Sequence, residues 1–225
     1  MNRRINKTGY KIITILVFII MMITILSQAN EGNIENQNSK SVKVLIDPGH
    51  GGSDVGTSNP RTGTTEKEIT LKISNKVVEE LKKYSNIEVI NTRTDDTFVS
   101  LDDRNKIEAD SNADLFVSIH CNATPDGKSN AEGVETFYWR EDGEQSSKLA
   151  QKVHESITSN LNVRDRGVKR ESYKVLRNST SPSILIETGF LTSDEEEKNL
   201  LDENYQDQLA KAIAKGIIAY IEDTN

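Results

Sequence analysis

The sequence holds one cysteine, one tryptophan and four prolines, and its 28 Lys and Arg are outnumbered by 35 Asp and Glu. Each scarcity excludes something. With Cys121 alone no internal disulfide can form, so an apolar core must hold the fold unaided. A formal charge of -7 argues against nucleic acid as a partner, because a phosphate backbone is bound by clustered Lys and Arg. The one glycine-rich stretch, GHGGSDVG from Gly49 to Gly56, is not followed by Lys-Ser or Lys-Thr, which excludes a phosphate-cradling loop. No internal repeat interrupts the chain. Its 225 residues, 35% of them hydrophobic, suit a single soluble domain.

Only the first thirty residues depart from that composition. Arg3, Arg4, Lys7 and Lys11 form a basic head, and Ile12 to Leu26 is apolar except for Thr14 and Thr24. Ser27-Gln28-Ala29 then offers small residues at a cleavage position, so residues 1–29 read as an export signal. The apolar run is shorter than the roughly 20 residues of a bilayer crossing. A cleaved signal and a retained membrane anchor both stay open. Any membrane contact is expected only through this segment, and the domain is expected outside the cell, in the wall or on the membrane's outer face. Residues 30–41 are polar and without period, which marks a linker. The folded domain is expected over 42–222.

Within it, β-branched Val42 to Asp47 predicts a buried strand stopped by Pro48-Gly49. Ile69, Ile73, Val77 and Leu81 recur every four residues and predict a helix with one apolar face. Ile87 to Thr92 predicts a strand. Ser100 and Asp103 have capping-box spacing and open a helix to about Asn112. Strands are expected over Leu115–Ile119, Val134–Trp139 and Ser183–Ile186. Further helices follow from Leu149, Val153, Ile157 and Leu161, and from Leu209, Ile213 and Ile217. Strands alternating with helices predict a single α/β domain, a mostly parallel twisted sheet with helices on both faces.

Three strands end in groups able to bind metal or move protons: DPGHGG with His50, SIHCN with His120, and LIETGF with Glu187. Ligands of open α/β sheets gather beyond the carboxyl ends of strands, so these residues can converge although remote in sequence. Two neutral imidazoles and one carboxylate leave a zinc ion with net positive charge and an open fourth position. Glu66 and Glu68, at the start of the first long helix, are both candidates for that carboxylate. Glu187 is placed to act as the unligated acid and base.

The runs DPGHGG, TEKEITL, DLFVSIHCNA, GVETFYW and ILIETGFLTS, in that order, resemble the N-acetylmuramoyl-L-alanine amidase family of the third amidase type. The likeness covers Val42 to Ile221. It implies a peptidoglycan amidase that cuts between N-acetylmuramic acid and L-alanine, with Zn2+ on His50, Glu66 and His120 and with Glu187 as catalytic acid and base; it chooses Glu66 over Glu68. Thr70 stands where Asn is common in the family and Cys121 where Ala often stands, and neither carries the metal. A bare catalytic domain behind one export signal is similar to the family's spore-cortex members, which makes a role in sporulation or germination an expectation. No regulator protein can be named from the sequence.

Rival readings are a cysteine hydrolase built on Cys121 and His120, an inactive wall-binding module, and a zinc amidase or peptidase acting on another wall peptide bond. Neighbouring side chains of a strand point to opposite faces, which separates Cys121 from His120 and makes Cys121 a small buried thiol. His154 is expected on a solvated helix surface. Asp194 to Glu197 is expected to be the solvated start of a helix, where acidic groups suit the dipole.

Overall fold

The computed structural model describes residues 17, 19–22, 41–124, 131–139 and 144–224. The expected export signal, and the linker up to residue 40, lie outside the described residues apart from five helical positions between 17 and 22. Among the described residues no helix is long and apolar enough to cross a membrane.

Among the described residues, the domain from Ser41 onward holds six strands and six helices. In chain order they are β1 (Val42–Pro48), α1 (Glu66–Leu81), β2 (Ile87–Asn91), α2 (Leu101–Ser111), β3 (Leu115–Asn122) and β4 (Val134–Tyr138). Then come α3 (Gln145–Asn160), β5 (Asp165–Arg170), α4 (Lys174–Arg177), β6 (Ser183–Phe190), α5 (Asp194–Leu201) and α6 (Glu203–Thr224). The strands form one sheet in the order β2-β1-β3-β6-β4-β5, parallel throughout except where β4 runs antiparallel to β6. The mostly parallel α/β architecture is as expected.

Strand alternation sorts the core into two unequal halves. Val44, Ile46, Val117, Ile119, Ile184 and Ile186 face a thick layer made by α1, α3 and α6. Ile69, Ile73, Val77 and Leu81 of α1 are all at most 1% exposed, so the four-residue step marks the buried stripe. The opposite face carries Leu45, Phe116, Phe137 and Leu185 and is covered thinly, by α2 and the single turn α4. Residues of the same parity further along those strands, Asp47, His120 and Glu187, therefore belong to the thinly covered face.

The predicted cap at α2 forms: the Asp103 amide donates to Ser100 Oγ at 3.1 Å. Two elements escape the sequence reading, the edge strand β5 and the turn α4. Strands β3 and β6 also run past their predicted ends, to Asn122 and Phe190, which places His120 and Glu187 inside strands as register partners. The chain leaves β1 toward β2 on one side and returns to β3 on the other, so the crevice between the ends of β1 and β3 is the switch point of the sheet.

Candidate metal centre and groove

His50 follows β1 on a left-handed backbone, φ 62°, and His120 projects from β3 next door. Their rings meet edge to face with centroids 5.0 Å apart. Glu66, the first residue of α1 and 3% exposed, reaches between them. Its Oε2 lies 3.1 Å from His50 Nε2 and its Oε1 lies 2.9 Å from His120 Nδ1. One ligand atom from each of the three residues falls within 4.8 Å of the others. Glu68 is exposed on the outer side of α1 and takes no part.

The donor set fits a divalent cation. His50 Nδ1 donates to Asp54 Oδ2 at 2.9 Å, which fixes the tautomer and leaves the Nε2 lone pair pointing at a carboxylate. Two acceptors 3.1 Å apart need a proton or a cation between them. Electrostatics agrees: burial alone would lower the His50 pKa, yet Glu66 and Asp54 raise it above the ordinary 6.5. Burial alone would raise Glu66, but hydrogen bonds and charge from His120 and His50 hold it far below the usual carboxylate range. The amides of Thr57 and Cys121 donate to its two oxygens at 2.9 and 3.0 Å and set its orientation.

Glycines make room for the rings. A Cβ on Gly49 would lie 2.4 Å from His120 Cε1, and one on Gly56 would lie 2.6 Å from Glu66 Oε2. Gly49→Ala is therefore expected to displace the His120 ring and weaken metal binding about 10–100-fold, the usual loss when a metal's supporting shell is disturbed. Titrating the metal-free variant against a chelator of known affinity measures it; unchanged affinity would show that the ring position is not critical.

Two buried arginines hold the ligand-bearing backbone. Arg93 donates to the carbonyls of Pro48 (3.0 Å), Gly49 (2.8 Å) and Lys67 (3.0 Å), and so ties the loop of His50 to the helix of Glu66. Arg104 donates to the Pro48 and His50 carbonyls at 2.8 and 2.7 Å and pairs with Asp47, which is fully buried. Neither arginine stands out in the sequence, because a lone basic residue carries no signal of burial.

Glu187 lies on β6 beside His120, part-buried, with Oε2 enclosed and without a hydrogen-bond partner among the described residues. Burial, then the negative charges of Glu66 and Glu135, raise its pKa to about 7 against a lowering by His120 and His50. Glu135 is its register partner on β4 and is held by Asn122 Nδ2 at 2.6 Å and by Lys169. His50, Glu66, His120 and Glu187 all line one open cavity of about 550 Å3. A part-dry carboxyl titrating near neutrality beside a metal-binding triad can accept a proton and return it.

Of three further expectations, the buried Cys121 thiol holds, the solvated His154 fails and the solvated acidic run holds only in part. Cys121 is 2% exposed in the thick core with its thiol pKa raised well above normal by burial and then by Glu66, so it is no ready nucleophile. His154 is not solvated: it is 5% exposed, with Nδ1 3.0 Å from Thr136 Oγ1 and Nε2 2.8 Å from Asp165 Oδ1. The missed strand β5 supplies Asp165 and closes over that side of α3. Of the acidic run, Asp194 and Glu195 are exposed, whereas Glu197 is buried and accepts from Asn59 Nδ2 at 2.8 Å.

A family model described as N-acetylmuramoyl-L-alanine amidase matches residues 44–219. The crystal structure of an N-acetylmuramoyl-L-alanine amidase from Clostridium difficile 630 superposes with a TM-score of 0.80 at 44% identity, covering 83% of this chain and all of that one. The amidase CwlD of Clostridioides difficile, solved in complex with the GerS lipoprotein, gives 0.76 at 35% identity over 81% of this chain and 100% of that chain. The amidase LytC of Bacillus subtilis is 38% identical over 178 residues, 79% of this chain and 35% of its own length, so the chain spans about a third of that protein.

Proposed function

The chain belongs to the N-acetylmuramoyl-L-alanine amidase family, hydrolases of the amide between N-acetylmuramic acid and L-alanine in peptidoglycan, and we propose that it cuts that bond with a zinc ion on His50, Glu66 and His120 and with Glu187 as the proton carrier. The observation that carries the proposal is the meeting of three ligand-type groups, remote in sequence, in one groove with Glu187, whose Oε2 has no hydrogen-bond partner among the described residues.

Zinc, when bound, supplies an electrophile for the amide carbonyl and lowers the pKa of a water in its open position. The protein does the rest. Asp54 orients His50, and the Thr57 and Cys121 amides orient Glu66. Glu187 removes a proton from the attacking water and delivers it to the amine of the departing L-alanine; its enclosed position raises its pKa above the ordinary carboxylate range and favours the return of the proton. The thin cover of the sheet on this face leaves the groove open to a polymer.

The basic head and apolar run of residues 1–29 support export, the polar stretch 30–41 supports a spacer, and residues 42–222 form the catalytic unit in this reading. Export would bring the domain to its substrate in the wall.

One zinc per chain is expected by elemental analysis, and EDTA is expected to abolish release of muropeptide stems from purified peptidoglycan. His50→Ala, Glu66→Ala and His120→Ala should each lose both metal and activity. Zinc affinity should fall as pH drops through the range where the His50 imidazole takes up a proton, which begins above 6.5. Full activity of a metal-free sample in excess EDTA would overturn the proposal.

A further inference from the structure

The cavity that contains Glu187 and the candidate metal ligands continues onto a wall of large apolar side chains. Phe98 and Leu101, at the entry to α2, are 50% and 49% exposed, and Tyr173, the residue before α4, is 37% exposed. The wall is held in place: the Tyr173 ring stands edge-on to Phe137 at 5.2 Å, and the Ser100 cap fixes the turn that carries Leu101. Lys174, which also lines the cavity, is paired with Asp102 at 2.7 Å. Wall and reacting groups share one cavity, so a substrate seated at Glu187 extends along the wall.

Resting on the amidase reading above, we propose that this wall is the carbohydrate subsite, with the muramic acid unit and the sugar next to it lying face-on against Tyr173 and Phe98. The scissile amide joins two unlike halves. On the peptide side comes the small methyl of alanine, then residues that carry free carboxylates, and neither fits an extended uncharged surface. On the glycan side each pyranose presents a flat, uncharged C–H face of the kind that packs on aromatic rings. Exposed aromatic area beside a reaction centre is costly to leave wet and gains by covering such a face. The stem peptide then leaves along the polar side of the cavity, past Thr57 and Asn122.

The test uses zinc-loaded full-length Glu187→Gln protein and calorimetric binding of two soluble probes, the disaccharide-tetrapeptide and the same molecule without its outer sugar. With the wall intact, loss of the outer sugar should weaken binding about tenfold. Adding Tyr173→Ala or Phe98→Ala should weaken binding of the disaccharide probe by a similar factor and shrink the penalty for losing the sugar to within about twofold, while Tyr173→Phe should behave as the parent. Shortening the stem from four residues to two should cost wall variants and parent the same factor. A stem-length penalty that disappears in the wall variants would assign the wall to peptide, and an unchanged sugar penalty would remove the wall from substrate binding; either overturns the inference. Retained zinc and an unchanged circular dichroism spectrum identify folded variants. Cleavage of the disaccharide-tetrapeptide by wild type, measured alongside, tests the amidase reading separately: no cleavage would defeat that reading whatever the wall variants do.

Discussion

Replacing Glu187 by Gln is expected to lower amidase turnover by at least about 100-fold, and up to about 10,000-fold, while zinc content stays at one per chain. The amide keeps the size of the carboxyl and fills the same enclosed position, but it can neither accept the proton of water nor return it to the amine. The same variant should be more stable than wild type when both are metal-free at high pH. In the unfolded chain the Glu187 carboxyl ionises near 4.5, but in the fold it keeps its proton to about 7. Between those values the folded state binds more protons, so stability falls as pH rises and the cost persists above 7. After discounting for water in the groove, the cost amounts to about 2 kcal/mol. Thermal melts of the EDTA-treated pair should therefore coincide at pH 4 and separate at pH 8, with Glu187→Gln higher. An active Glu187→Gln enzyme with full metal would end its role as proton carrier, and identical melts at pH 8 would show that the carboxyl is better solvated than its unpartnered Oε2 indicates.

The parts of this molecule legible in the sequence are those where one physical demand dominates. The stripe of Ile69, Ile73, Val77 and Leu81 has no purpose but burial, and α1 lies where it points. Ser100 and Asp103 make a local bond that needs no tertiary knowledge. Glu187 is legible because a carboxylate ending an apolar strand is costly without a partner or a task, and His50 and His120 because they lie at strand ends where ligands gather. Choosing Glu66 over Glu68 was beyond spacing alone, since both sit in the first turn of α1 and only the fold decides which faces the crevice. Strand β5 was illegible because Asp165, Arg166, Lys169 and Arg170 break any apolar alternation at an edge that needs little of it. The turn α4 is four residues long, too short for a helical period to register, so Tyr173 before it carries no signal in the sequence. His154 and Glu197 look like surface residues until their partners, Asp165 and Asn59, arrive from distant elements.

Loss of Arg104 should cost the fold heavily. Asp47 is fully buried, and its carboxylate accepts from Thr92 Oγ1 at 2.6 Å, from Ser118 Oγ at 2.7 Å and from Arg104, itself 3% exposed. Arg104→Ala strands that charge away from water without its cation and frees the carbonyls of Pro48 and His50. The expected destabilisation is about 3–5 kcal/mol, read as a shift in urea midpoint at constant slope. A buried ion pair stabilises little against apolar residues of similar volume, so the double variant Asp47→Leu, Arg104→Met should recover most of that loss. It should not recover zinc affinity, because His50 sits at φ 62° and a methionine cannot donate to its carbonyl as Arg104 Nη2 does at 2.7 Å. The two readouts separate what the pair does for the fold from what it does for the metal loop. A single Arg104→Ala variant within about 1 kcal/mol of wild type would refute the first role, and a double variant that binds zinc normally would refute the second.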